Sequence, residues 1–341
     1  MKTKPIILVD PFPRTMELIF SKDKLNYLNS KFKLIKRGKI LEKDFYERNI
    51  EKAKFIIGQP TLELSTLKKA KKLKAIFNVE SNFLHNMDYD YCFKNNIYVL
   101  STSPVFAQPV AEMSLGLLLS IARSIHIAHN DFINKKEKYG GEISQNNFLI
   151  KNKNFGFVGF GDLAKATLPI IKPFANKILA YDPWIANINI KSKNVYPVSL
   201  NNLLKNSDII FVFATSTTSN KQMINFKNLN FIKDTSTILI MSRAAVVNFD
   251  DLFKFLKHRN VFAGIDVFPK EPFPKNDPLR RLKNVIFSPH RAGALDVVFK
   301  DMGEIVVKDI KLLLAGKMPR NCKKAELKTV TKLISKPVDI N

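Results

Sequence analysis

Gly156-Phe157-Val158-Gly159-Phe160-Gly161-Asp162-Leu163-Ala164 is the stretch whose reading decides the fold of this chain. It places Gly-x-Gly-x-x-Ala directly after an apolar strand pattern, with an amphipathic helical pattern following. In such a turn the first glycine permits the tight reversal and the second lets the backbone approach a pyrophosphate. The small third residue lets the helix pack on the sheet. Unpaired amides and the helix dipole then supply positive potential for phosphate. Asp182, at the end of the next strand pattern, is placed to accept hydrogen bonds from an adenosine ribose. Pro183 and Trp184 follow it with no adjacent arginine to hold a 2′-phosphate, so NAD is favoured over NADP. The turn proposes Gly159, Gly161, Asp162, Leu163 and Asp182 as cofactor-binding residues. Asp162 sets an acid beside the expected pyrophosphate, which is unhelpful unless it points away or caps the helix. Pro169 is expected to kink the helix that follows.

Outward from this turn, short β-branched and aromatic runs alternate with amphipathic segments, as βαβ units and parallel sheets require. On the N-terminal side the strand patterns are 6–10, 32–36, 55–58, 73–79 and 97–100. From the turn onward they are 155–158, 177–181, 195–198, 208–214, 237–241, 261–265 and 285–287. A long helical pattern follows Pro109 and runs to about Ile133. A polar stretch then separates it from the glycine turn, and 296–314 forms a last helix. Two βα-rich halves imply two related sheets, and 341 residues suggest two domains at ~150 residues each.

Three strand ends beyond the turn carry chemistry. The strand at 237–241 delivers Ser242 and Arg243. The strand at 261–265 delivers Asp266 and then Glu271, and the strand at 285–287 delivers Ser288-Pro289-His290. In an open parallel sheet, ligands bind outside the carboxyl ends of the strands. An arginine, a glutamate and a histidine gathered there suit reduction of a 2-oxo acid. The guanidinium holds the carboxylate and carbonyl. The imidazole gives a proton to the carbonyl oxygen, and a carboxylate beside it stabilises the imidazolium.

Composition excludes disorder, collagen-like repeats and a small disulfide scaffold, because 45% of the residues are hydrophobic and only 12 are glycine. The formal charge of +25 raises nucleic acid or a membrane surface as partners. Lysine supplies 45 of the 55 basic residues, alongside 31 Asn, 34 Ile and 27 Phe, the joint signature of A/T-rich coding DNA. The cluster Lys68, Lys69, Lys71, Lys72 and Lys74 reads as a solvated helix end. No aromatic-interleaved basic motif or Cys/His finger points to nucleic acid. Cys92 and Cys322 fit no metal or redox spacing, which suits a reducing compartment. The N-terminus has no signal-peptide pattern. The most apolar stretch, Met113 to Ala122, falls short of the ~20 residues that cross a bilayer. A cytoplasmic protein with no metal, membrane or nucleic-acid partner is expected.

Together these segments resemble the D-isomer-specific 2-hydroxyacid dehydrogenases, relatives of phosphoglycerate dehydrogenase. The resemblance rests on the glycine turn, Pro109-Val110-Ala111-Glu112, Ser242-Arg243-Ala244-Ala245-Val246-Val247, Asp266-Val267-Phe268 with Glu271-Pro272, and Ser288-Pro289-His290 with Gly293. It implies an α/β protein of two doubly wound parallel-sheet domains. A Rossmann NAD-binding domain (107–293) is inserted into a discontinuous, flavodoxin-like substrate domain (1–106 and 294–341). It further implies Arg243 and Ser81 as substrate-binding residues, His290 as acid/base and Glu271 as its partner. Asp266 would lie near the nicotinamide, with Ser242 also at the cofactor. The substrate would be a small 2-oxo or 2-hydroxy acid, and the assembly a homodimer through the inserted domain. Departures are Ala244 for a usual glycine, Asn248 for a usual aspartate, and Glu80-Ser81 where glycines often hold the substrate carboxylate. The reading from another class is an NAD-sensing scaffold on the same fold, without turnover.

Overall fold

The computed structural model describes residues 4–38, 44–79, 82–140 and 147–334, so Glu80 and Ser81 lie outside the described residues. In chain order the strands are β1 (Ile6–Asp10), β2 (Lys33–Lys36), β3 (Ala53–Gly58), β4 (Ala75–Asn78), β5 (Tyr98–Ser101), β6 (Lys153–Val158), β7 (Ala175–Tyr181), β8 (Tyr196–Pro197), β9 (Ile209–Val212), β10 (Thr237–Ile240), β11 (Phe262–Ile265), β12 (Val285–Phe287) and β13 (Lys323–Lys324). The chain forms two compact units. One comprises Met1–Phe106 with Ala294–Asn341, and the other Ala107–Gly293.

In the first unit the sheet order is β13-β5-β4-β3-β1-β2, parallel except for β13, which runs antiparallel to β5. Without β13 this is the flavodoxin-like order. Ile7, Val9, Phe55, Ile57 and Phe77 lie on one side, against Met302, Val306 and Ile310 of the helix Asp296–Leu314. Leu8, Ile56 and Ile76 face the opposite side. That alternation is why these strands read as continuous apolar runs. Cys92 and Cys322 are both buried here, and burial pushes the Cys92 thiol up to about 12 and that of Cys322 well above its ordinary range. Neither is expected to react with an aromatic disulfide reagent at mildly alkaline pH until denaturant is added. Stoichiometric labelling of the folded protein would contradict that burial.

The second unit has the sheet order β12-β11-β10-β9-β6-β7-β8, every neighbour parallel. This is the doubly wound Rossmann order with one further strand on the β11 side, and the order reverses between β6 and β9. Stacked Phe155, Phe157, Phe211 and Phe213 fill the sheet face at that point.

The long helical pattern after Pro109 resolves into two helices, Ala107–Ala122 and Ile125–Ile133. Ser124 between them takes a left-handed φ of 49°, and its hydroxyl donates to Asn147 Oδ1 at 2.6 Å. Pro109 sits in the first turn, where a missing amide hydrogen breaks no helical bond. Among the described residues, Ser103–Ala122 has the length and apolarity of a membrane-crossing helix. Its apolarity is that of a core helix, with Val110, Leu117, Leu118 and Ile121 buried against the Phe155–Phe157 side of the sheet. The helix Asp162–Ile171 holds Pro169 within it and ends at Ile171. The helix that carries the lysine cluster at its end is short, Leu64–Lys69, closed when the Ala70 amide donates to Leu67 O. All five clustered lysines there are exposed.

Candidate functional site

Every strand of the second unit that bears a candidate group ends on the same edge of its sheet, and the ladder continues past the strand ends. Gly159 N donates to Tyr181 O, Phe213 N to Val158 O, Met241 N to Val212 O, Asp266 N to Ile240 O and Ser288 N to Ile265 O. The glycine turn, Arg243, Asp266 and His290 are thereby lined up along one carboxyl edge.

Gly159 adopts φ +94°, and a Cβ there would lie 2.6 Å from the Ala214 amide nitrogen. Glycine is required on both conformational and steric grounds. Gly161 differs, because a Cβ there would meet nothing within 4 Å. That open space lies at the N-terminus of a ten-residue helix whose N-cap, Gly161, offers no side-chain hydrogen bond. Its first-turn amides, including those of Asp162 and Leu163, are thus not capped by Gly161 and suit a pyrophosphate. Ala164 is fully buried, as the third small residue should be. Asp162 lies in the first turn rather than at the cap, where a negative charge complements the helix dipole.

Asp182 also fastens the turn. Its Oδ2 accepts from Phe160 N at 2.8 Å, and its Oδ1 from Trp184 N at 2.9 Å and Ile185 N at 3.2 Å. A carboxylate has about four acceptor positions, so capacity remains for a ribose hydroxyl. The turn, the helix terminus and this carboxylate fit a dinucleotide.

At the end of β10, Ser242 is buried, and its hydroxyl lies 3.2 Å from Val212 O and 2.8 Å from Ala214 O. It ties β10 to the backbone that receives Gly159. Arg243 is partly buried, and its Nη1 donates to Ser242 O at 2.7 Å. The departures beside it have simple accounts. Ala244 opens a short 3-10 turn without positive φ, so no glycine is needed there. Asn248 caps the helix Phe249–His258, accepting from Asp251 N at 3.1 Å, a task asparagine and aspartate perform equally.

His290 and Glu271 form the contact with the clearest chemical content. His290 Nδ1 lies 2.7 Å from Glu271 Oε2, and Glu271 Oε1 accepts from Phe268 N at 3.0 Å. The carboxylate is therefore fixed at both oxygens. With Nδ1 donating to it, the other ring nitrogen, Nε2, is left for chemistry. The His290 side chain is 50% exposed, so a solute can reach it. Asp266 is 1% exposed, its carboxylate turned onto the loop that follows β12. Burial raises its pKa from the ordinary aspartate value, opposed by hydrogen bonds from Ser288, Arg291 and Ala292 and by the charge of His290.

Sequence reasoning gave no separate role to Ser288, whose hydroxyl donates to Asp266 Oδ1 at 2.6 Å. It also passed over Asn220. The Asn220 side chain folds the loop after β9, accepting from Thr217 N at 2.7 Å and donating to Thr215 O at 2.7 Å. The run of Ser and Thr between 215 and 219 signalled a loop, but a loop's internal staple depends on which polar groups meet. Among the described residues no cluster of His, Cys, Asp or Glu could hold a metal ion.

A Rossmann-ordered sheet with a glycine turn at its switch point and titratable groups along the same edge defines a nicotinamide-dependent oxidoreductase. The profile of "D-isomer specific 2-hydroxyacid dehydrogenase, NAD binding domain" matches residues 115–292, and the chain belongs to the D-isomer-specific 2-hydroxyacid dehydrogenase family. A glyoxylate reductase from Thermococcus litoralis is 31% identical over 84% of this chain and 86% of its own length. The crystal structure of a phosphoglycerate oxidoreductase from Rhizobium etli is 38% identical, with a TM-score of 0.86, covering 96% of this chain and all of that one. A D-mandelate dehydrogenase from Rhodotorula graminis, 19% identical with a TM-score of 0.78 over 94% of this chain and 97% of its own, shares the fold. The chain is an NAD-dependent oxidoreductase acting on 2-hydroxy and 2-oxo acids.

Proposed function

We propose that the chain interconverts a small 2-oxo acid and its D-2-hydroxy acid, with His290 as the acid/base, Glu271 as its partner and Arg243 as the substrate anchor. The 2.7 Å contact between His290 and Glu271, on the strand edge that bears the glycine turn, carries this reading. NAD, when bound, supplies or accepts the hydride. Protonated His290 gives its Nε2 proton to the carbonyl oxygen during reduction, and neutral Nε2 takes it back during oxidation. Glu271 stabilises the imidazolium and orients the ring. The fork of Arg243 pairs with the substrate carboxylate, its charge opposite in sign and its geometry bidentate. Ser81, outside the described residues, is assigned by resemblance to the same carboxylate. Gly159, Gly161, Asp162, Leu163, Asp182 and Ser242 form the cofactor side of the site.

The glyoxylate reductase and phosphoglycerate oxidoreductase named above make glyoxylate and a phosphorylated three-carbon 2-oxo acid the first substrates to test. Loss of NADH absorbance is expected with at least one member of a 2-oxo acid panel, well above the rate with NADH alone. Silence across the panel alongside tight NADH binding would overturn the reading in favour of an NAD-sensing scaffold. The helix Ile125–Ile133 has no buried residue and exposes Ile125, Ile127, Phe132 and Ile133. A homodimer through the second unit would cover these side chains, and sedimentation would report it. Buried, unpaired thiols accord with a cytoplasmic setting.

A further inference from the structure

We propose that the C-terminal segment 320–334 is a strap that positions the loop after β4 and so sets the affinity for the 2-oxo acid, with His85 and Leu333 as its positioning residues. This role rests on the proposed turnover of a 2-oxo acid. In an open parallel sheet, ligands bind outside the carboxyl ends of the strands, and β4 ends at Asn78. From Asn82 onward the loop follows directly on Ser81, the residue assigned by resemblance to the substrate carboxylate.

Residues 82–89 are fastened first by near neighbours. Leu62 N donates to Asn86 O at 2.8 Å, and the Asn86 side-chain amide donates to Pro60 O at 2.8 Å. The Tyr89 hydroxyl donates to Leu84 O at 2.7 Å. A further hold comes from the far end of the chain. His85 Nε2 donates to Leu333 O, 248 residues further along. Val330 and Leu333 are buried in the same apolar cluster as Phe83 and Tyr89. The short helix Leu327–Val330 packs on the helix Tyr89–Lys94 that closes the loop.

The strap is itself tied to rigid parts of the first unit. Asp309, in the helix Asp296–Leu314, is fully buried, and its carboxylate accepts from Arg320 N at 3.0 Å, Asn321 N at 3.0 Å and Cys322 N at 2.7 Å. β13 then pairs with β5, and Ala325 N donates to Val99 O at 2.9 Å. A terminal segment frays unless it is tied down, and these ties lead from a buried carboxylate across the sheet edge to the loop after β4. A small misplacement of that loop costs a large factor wherever a substrate group must be held. The groups assigned to NAD belong to the second unit, so the strap acts on the 2-oxo acid and leaves cofactor affinity alone.

The experiment compares His85→Ala, His85→Gln and Leu333→Ala in the full chain. It measures kcat, KM for the 2-oxo acid, the NADH dissociation constant and amide hydrogen exchange in residues 82–89. His85 is exposed, so its removal opens no core cavity and keeps the question answerable if Leu333→Ala does not fold. Both alanine variants are expected to speed exchange in residues 82–89 and to raise KM by on the order of 10-fold, with kcat and NADH affinity changed by less than about twofold. His85→Gln, whose side-chain amide still donates to a carbonyl, is expected to recover most of that affinity. An unchanged KM in His85→Ala would overturn the proposal, as would exchange that stays slow or NADH binding weakened as much as KM is raised. Absence of turnover by the unaltered protein with every 2-oxo acid would instead sink the proposed function, and the exchange measurement would then decide alone whether the strap holds the loop.

Discussion

Replacement of His290 by alanine is expected to lower turnover by roughly 10²- to 10⁴-fold, the ordinary worth of a positioned general acid. NADH binding and melting temperature should stay close to those of the unaltered protein. The reasons are local. The imidazole is 50% exposed, so its removal opens no core cavity, and the groups fitted to the dinucleotide lie at other strand ends. The loop that carries it is tied down through Asp266 and backbone amides that the substitution leaves in place. Glu271→Gln should cost less, because the amide oxygen still accepts from Nδ1 while the countercharge is lost. Steady-state turnover read beside NADH titration separates the two effects. Unchanged turnover in His290→Ala would remove the histidine from the mechanism.

Gly159→Ala should be the most damaging single methyl group at the cofactor turn. The new Cβ would lie 2.6 Å from the Ala214 nitrogen and 2.9 Å from the Phe213 carbonyl carbon, and the backbone would hold φ +94°. Neither neighbour is a flexible side-chain end, so the clash moves β6 or β9. Left-handed strain and overpacking together cost about 3 kcal/mol or more. That lowers the melting temperature by on the order of 10 °C for a unit of this size. NADH binding is lost with it, since the displaced strands are those that flank the switch point. Gly161→Ala is the informative contrast. Nothing of the chain lies within 4 Å of its Cβ, so folding is unaffected, yet the methyl group fills the space proposed for the pyrophosphate. A melting temperature near that of the unaltered protein with NADH affinity weakened at least about tenfold is expected, and retained affinity would contradict the assigned cradle.

Legibility in the sequence tracks how local each cause is. β1, β12 and the helix Asp296–Leu314 stand where the periodicity predicts. Their apolar spacing follows from the face each buries, and that spacing is written along the chain. β13 gave no sign. Lys323-Lys324 is a short, exposed, charged pair, made a strand only because Leu100 and Ser101 present an edge to it. The break at Ser124 was likewise hidden, since its partner Asn147 lies beyond a polar stretch that carries no helical pattern.

The site divides in the same way. Sequence alone determined the glycine turn, the carboxylate after β7 and the chemical types of Arg243, Glu271 and His290, because strand-turn-helix spacing and residue chemistry are properties of short segments. Tertiary structure alone decided how those groups are used. It brought Glu271 to Nδ1 of His290, gave Ser242 to two backbone carbonyls, and turned Asp182 onto the glycine turn. It also placed the Asp266 carboxylate inside the loop it organises. A side chain's partner is set by which strands lie side by side, and parallel strands become neighbours only through crossovers whose pairing no single segment encodes.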